Sequence, residues 1–391
     1  MRRPGIVALG LLLAAISAAA SPAASGPAIA ERSPAPDVRA HARASVFPTL
    51  SVHRKVRGLS TPWDVQRLPG HRLLISERDT HRLLVWRHGH KHRVRFPARV
   101  WVSGETGLMS LAVDPRFRTN RRIYTCFGGF TPTGHDVRIV AWQMFRHYRG
   151  VRMKKVLLSG LPATSGRHGG CRLLITRAGS LLIGTGDAAT GTNPENLDSL
   201  GGKVLQINRF SGAPWPSNPW ASAPTPRRFV WNYGHRNVQG LAQRADGTLW
   251  SVEQGTDRDD EINLVLRGGD YGYNPVPGYN ESVPMTDDAL PGEQVHARWS
   301  SGFPTLATSG ATWVRGRQWG EYDGTLAVAA LKASRLMFVK FDADGQLLWT
   351  RTPDAVTHFG RLRSVTRAHN GDLLVTTSNG TGDAVLRVSP R

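Results

Sequence analysis

The sequence predicts an all-β fold: a six-bladed β-propeller with four-stranded antiparallel blades. Three observations carry that expectation. A two-strand phrase recurs six times along the 391 residues. Its copies are spaced irregularly, by about fifty to seventy residues, as propeller blades with loop insertions are. No long helical periodicity competes with it.

Each copy is an apolar-patterned strand, a turn rich in Gly, Asp, Asn or Pro, and a second β-rich strand. The first, TPWDVQRLPGHRLLISE, turns at Pro69-Gly70, and the second, GLMSLAVDPRFRTNRRIYTCF, at Asp114-Pro115. The third, CRLLITRAGSLLIGTGD, turns at Gly179, and the fourth, VQGLAQRADGTLWSVEQG, at Asp246-Gly247. The fifth, SGATWVRGRQWGEYDGTLAVAAL, carries a longer connection ending at Asp323-Gly324, and the sixth, LRSVTRAHNGDLLVTTSNG, turns at Asn370-Gly371. Second strands should begin near residues 72, 122, 180, 248, 325 and 372.

The repeat also predicts where chemistry belongs. In an antiparallel pair, the start of the first strand and the end of the second share one face. Glu105, His168, Arg236 with Asn237, Thr305, and Arg361 with Arg363 fall at the starts of first strands. Gln254, Gly255, Thr256 and Lys332 follow second strands. Any one polar loop residue is explained by solvation, but the whole set is expected to converge on one mouth of the central channel.

The N-terminus joins Arg2 and Arg3 to an apolar run and then to small residues, which predicts a secretory signal peptide over 1–24 rather than a membrane span. Residues 25–45, rich in Pro, Ala and Ser, read as a disordered linker, leaving 46–391 for the propeller. The expected location is therefore secreted or extracytoplasmic. Cys126 and Cys171 both fall toward the same face; they can close a disulfide in an exported chain or stay as thiols, and neither has metal-ligand spacing around it. The net charge of +21 is spread along the chain, without the basic stripe and aromatics of a nucleic-acid binder. It reads as a solvated basic surface, able to associate with anionic cell-wall polymers or lipids.

The densest segment, residues 232–279, contains GHRN-x-QGLA, EQG-x-x-x-DDEINL and GG-x-YG. Supporting stretches are GETGLMSLAVDPRF, HGGCRLL followed by GTGD, GGKVLQIN, FPT, the lysine of ALKASRL, and RLRSVTRAHNGDLL. Over roughly residues 58–390 the chain resembles the soluble quinoprotein glucose dehydrogenase and aldose sugar dehydrogenase family, the glucose/sorbosone dehydrogenase group. The resemblance implies a six-bladed propeller that uses pyrroloquinoline quinone (PQQ) and calcium to oxidise the C1 hydroxyl of an aldose to a lactone. It implies His168 as the base, and Arg236, Asn237, Thr305, Lys332, Arg361 and Arg363 as cofactor contacts. Cationic and hydrogen-bonding groups suit a flat tricarboxylate. The carbonyls of Gly255 and Thr256 are implied to hold the calcium that meets the quinone, and Glu261 with the Tyr271 carbonyl a second, structural calcium.

Some positions depart from the family's glucose enzymes. Glu105 stands where glutamine is frequent, Arg167 where an aspartate precedes the histidine, Thr256 for a proline and Phe303 for a tryptophan at the substrate mouth. With short loops between blades four and five, these changes favour an aldose or oligosaccharide substrate, faced by Glu105 and Phe303, over glucose itself. The chain has no Cys-x-x-Cys-His haem motif, so an external electron acceptor is expected, and the protein is expected as a monomer or homodimer. Two alternatives stand beside this reading: a non-enzymatic propeller that has lost cofactor use, and a metal-dependent lactonase, which needs a carboxylate-rich axial centre.

Overall fold

The computed structural model describes residues 46–391, and the signal peptide and linker expected before them lie outside the described residues. After β1 (Leu50–Leu59), blade one is formed by β2 (Pro62–Leu68), β3 (Arg72–Glu77), β4 (Leu83–Arg87) and β5 (His90–Val94). Blade two contains β6 (Leu108–Val113), β7 (Arg122–Thr131), β8 (Gly134–Met144) and β9 (Val151–Leu161). Blade three contains β10 (Arg172–Ile175), β11 (Ser180–Gly184), β12 (Val204–Asn208) and β13 (Val230–Asn232). Blade four contains β14 (Val238–Gln243), β15 (Leu249–Glu253), β16 (Glu261–Leu264) and β17 (Trp299–Ser300). Blade five contains β18 (Thr308–Trp313), β19 (Leu326–Ala330), β20 (Arg335–Phe341) and β21 (Leu347–Arg351). Blade six joins β22 (Leu362–Arg367), β23 (Leu373–Thr377) and β24 (Asp383–Pro390) to β1.

Each sequence repeat is the inner pair of one blade, and the second strands begin within one residue of the expected positions. The inner strands β2, β6, β10, β14, β18 and β22 ring the axis. Glycine lets them approach: a Cβ on Gly240 would lie 2.5 Å from the Ser309 carbonyl oxygen, and one on Gly310 2.7 Å from Ser364 Cα. The core is a ring of apolar layers between successive blades. Leu74 and Leu111 lie between blades one and two, Leu173 and Ile207 in the next layer, Val204 and Val238 in the third. Ile262 and Val328 fill the fourth, Phe338 and Val375 the fifth, and Val65 with Val385 closes the ring between blades six and one.

Closure comes from both ends of the described chain. Strand β1 pairs with β24 from Leu50 opposite Pro390 to Leu59 opposite Asp383, which removes the free edges that an open sheet would expose. Asp383 fastens this joint by accepting from the Thr61 amide at 3.2 Å and the Thr377 hydroxyl at 2.6 Å. Cys126 and Cys171 form a disulfide between blades two and three. Cys126 lies within β7, and Cys171 immediately precedes β10. The bond closes a loop with a sequence separation of 45 that contains His168. Loop-closure entropy alone makes such a link worth about 4 kcal/mol against the unfolded chain.

Candidate active site

All six inner strands start at the same mouth of the channel, so the residues just before them meet there. A cavity at this mouth is lined by Glu105, His168, Arg236, Gly255, Thr256 and Thr305, with Arg167, Gln254, Asp260, Glu281 and Ala307 beside them. Eight of the residues singled out in the sequence, Gln254 and Arg167 among them, thus line one cavity, while Asn237, Lys332, Arg361 and Arg363 lie outside its lining.

His168 sits in the segment leading into β10 and is 3 % exposed. Its φ of 47° is left-handed, uncommon for a residue with a Cβ. Close packing holds it there: a Cβ on Gly186 would come within 1.8 Å of the His168 carbonyl oxygen. The Nδ1 atom lies 2.8 Å from Asp187 Oδ1. Asp187 is fully buried, accepts the Ala189 amide at 2.8 Å, and receives the Tyr279 hydroxyl at 2.7 Å. Burial, reinforced by the charge of Asp187, pushes the Tyr279 hydroxyl far above its ordinary range and keeps it a donor. With Asp187 accepting at Nδ1–H, the imidazole presents Nε2 as its free acceptor, the form a general base needs.

A polar chain leads from the mouth onto the axis. Asn237 donates to Glu105 at 3.2 Å, Gln239 donates to Asn237 at 3.0 Å, and Arg363 donates to Gln239 at 2.8 Å. Arg363, the second residue of β22, is 5 % exposed, and its Nε has no partner among the described residues. Burial, then the neighbouring charge of Arg78, brings its guanidinium down to about 9. A buried cation held this way is costly unless an anion meets it. Lys332 reaches only the Thr305 hydroxyl, at 3.4 Å, and Arg361 is exposed close to Arg363. Among the described residues none of these three cations forms an ion pair. Arg236 differs: it donates to Glu281 at 2.7 Å and to the Gln254 carbonyl at 3.1 Å.

The carbonyls of Gly255 and Thr256 accept no hydrogen bond among the described residues. A Cβ on Gly255 would lie 2.0 Å from the Arg258 carbonyl oxygen, so glycine alone fits this turn. The adjoining acids have structural roles. Asp260 accepts the amides of Gly255, Leu306 and Thr308, and Asp259 pairs with Arg258. Glu261 opens β16, the third strand of blade four, and Tyr271 lies in the connection that follows it. Glu261 shares Asn263 with Glu253, which also takes His235 at 2.7 Å, and the Tyr271 ring stacks on His235. Burial, then the charge of Glu253, pushes Glu261 well above the usual carboxylate range. Phe303 is 75 % exposed on the rim.

A tricarboxylate fits the unpaired cations, a hard cation fits the free Gly255 and Thr256 carbonyls, and a second fits the Glu253–Glu261 pair beside the unpartnered Asn263 Oδ1. Among the described residues no group of three or more His, Cys, Asp or Glu forms a ready metal cage, so a cation here would rest largely on carbonyls. Asp187, Tyr279, Glu281 and Gln239 complete the site but were not singled out from the sequence. The signal for Asp187 was present in GTGD, which ends a second strand and therefore reaches the same mouth. Tyr279 and Glu281 come from the long connection between β16 and β17, which no periodicity places.

This arrangement has counterparts of known fold and kind. The chain matches the Glucose / Sorbosone dehydrogenase family over residues 59–387. It is 27 % identical over 360 residues to the aldose sugar dehydrogenase YliI of Escherichia coli K12, covering 88 % of this chain and 94 % of that protein. It is 29 % identical over 203 residues to quinoprotein glucose dehydrogenase B of Acinetobacter calcoaceticus, covering 46 % of this chain and 42 % of that one. The PQQ-bound aldose sugar dehydrogenase of Streptomyces coelicolor superposes with a TM-score of 0.74 at 26 % identity, over 88 % of this chain and 99 % of its own. With the propeller, the mouth and the match over most of its length in agreement, the chain belongs to the glucose/sorbosone dehydrogenase family.

Proposed function

We propose that this protein is an exported oxidoreductase that uses PQQ and calcium to oxidise the C1 hydroxyl of an aldose to the lactone, passing electrons to an external acceptor. One observation carries the reading: His168, paired with Asp187, lines one cavity with Glu105, Arg236 and Thr305, and hydrogen bonds join that lining to Lys332 through Thr305 and to the buried Arg363 through Asn237 and Gln239, two cations without a carboxylate partner among the described residues. When bound, the quinone supplies a hydride acceptor and calcium a Lewis acid.

The chain's own residues do the rest. Lys332, Arg361 and Arg363, with Arg236, would hold the quinone's carboxylates, while Asn237 and Thr305 would add neutral hydrogen bonds. The Gly255 and Thr256 carbonyls would hold the catalytic calcium, and Glu261 with the Tyr271 carbonyl a structural one. Nε2 of His168 takes the C1 hydroxyl proton as the C1–H bond breaks. Asp187 fixes the tautomer and stabilises the imidazolium that forms. Glu105 and Phe303 face the sugar. The Cys126–Cys171 disulfide supports an oxidising compartment. Among the described residues no helix is long and apolar enough to cross a membrane.

The test is dye reduction by purified protein given PQQ and calcium, across a panel of aldoses. Turnover that requires quinone, calcium and sugar together is expected. Quinone binding without turnover of any aldose would mean a propeller that kept the pocket and lost the reaction.

A further inference from the structure

The inner strands that begin at the catalytic mouth all end at the opposite one, and their ends carry arginine. Arg67 lies near the end of β2, Arg177 just beyond β10, Arg315 just beyond β18, and Arg367 ends β22. The four line one concave cavity of about 490 Å³, together with Gln66 and Gln243. Among the described residues none of the four forms an ion pair. Arg67 reaches only His369, at 3.5 Å, and Arg177 donates to the carbonyls of Ala245 and Arg244. Of the two nearby acids, Asp246 is taken by Arg244 at 3.4 Å and Asp323 accepts the Gly316 amide at 3.0 Å.

At the inner end of the cavity is Arg172, 6 % exposed. It meets Asp64 at 3.1 Å and donates to the Gln239 carbonyl at 2.8 Å, yet its Nη2 is buried without a partner. The charges crowd one another: burial lowers Arg67, burial and then Arg67 lower Arg367, and burial followed by Arg367 and Arg177 lowers Arg315. A concave, partly desolvated ring of like charge with a spare buried donor at its base is what a multivalent anion relieves.

We propose that this far mouth is an anion-binding site, separate from the catalytic mouth, that takes a compact oxyanion carrying two or more phosphate groups on Arg67, Arg177, Arg315 and Arg367. Guanidinium forks suit phosphate oxygens in pairs, and the ring admits them from several sides at once.

The experiment titrates inorganic pyrophosphate into the full-length protein by calorimetry and by thermal melting, with sodium chloride at matched ionic strength as control. Saturable binding of one pyrophosphate at this mouth and a melting temperature above the chloride control are expected. Arg67→Gln, Arg315→Gln and Arg367→Gln should each weaken binding roughly ten-fold, the loss of one charge-assisted contact. The triple variant should bind none and, relieved of repulsion, melt no earlier than the wild type without anion. Lys332→Ala, at the other mouth, should leave the titration unchanged. Displacement by long-chain polyphosphate would identify a polymer end as the source of the phosphates, and its failure a free small molecule; either leaves the ring as the site. An equal rise with chloride, a triple variant that still binds, or loss of binding in Lys332→Ala would overturn the assignment.

Discussion

Replacing Asp187 with asparagine keeps the shape of the site and removes one charge. The amide oxygen can still accept the Ala189 N–H and the His168 Nδ1–H, both 2.8 Å away, while its NH2 group can donate to the Tyr279 oxygen, from which the carboxylate now accepts at 2.7 Å. What is lost is the negative charge against the imidazolium formed when His168 takes the sugar's proton. Both side chains are buried, so water does little to replace it. A hydrogen bond to a charged group is worth about 1.5–3 kcal/mol, which lowers kcat by about 10- to 150-fold. Steady-state turnover of quinone-loaded enzyme, with quinone affinity measured separately, reads the effect. Wild-type kcat would refute the pairing's catalytic role, most plainly if the variant also melted early.

Lys332→Ala should weaken quinone binding about ten-fold while the loaded enzyme turns over nearly normally, as one lost charge-assisted contact predicts; an unchanged titration would reduce Lys332 to surface charge. Excess chelator should abolish tight quinone binding and added calcium restore it, if the Gly255 and Thr256 carbonyls face an ion. Away from the site, burial and then the charge of Asp270 push Glu195 up to about 8. The folded state then keeps a proton that the unfolded chain releases near its ordinary value, so Glu195 lowers stability as pH rises from about 4.5 to 8. Glu195→Gln should melt later than wild type at pH 8 and alike at pH 4.5; equal melting at both would remove this carboxyl from the balance.

The sequence made the inner half of every blade legible because those strands are buried and keep apolar patterning beside a turn. The outer strands lose that signal: β5 is exposed along most of its length, as is β21. The pairing of β1 with β24 joins residues more than three hundred positions apart, and no local pattern announces it. In the site, His168, Glu105 and Thr305 were readable because strand starts must share a face. Asp187 depends on a contact 19 residues away and Tyr279 on one 111 residues away, set by loop packing rather than by period. Asp260 stands beside Glu261 in the DDEINL stretch, and its carboxylate is taken by three backbone amides that shape the Gly255 turn, a role only the fold reveals.

The central claim, that this mouth oxidises sugar with His168 as base, is tested most directly by His168→Ala. The variant's melting temperature, PQQ affinity in the presence of calcium and aldose turnover across pH should be measured on one preparation. The account predicts a folded protein that binds quinone nearly as the wild type does and loses about two to four orders of magnitude in turnover. The wild-type rate should fall on acidification as the imidazole takes up a proton, and the variant's residual rate should lack that limb. A variant that melts early but oxidises sugar at close to the wild-type rate, with the acid limb intact, would contradict it.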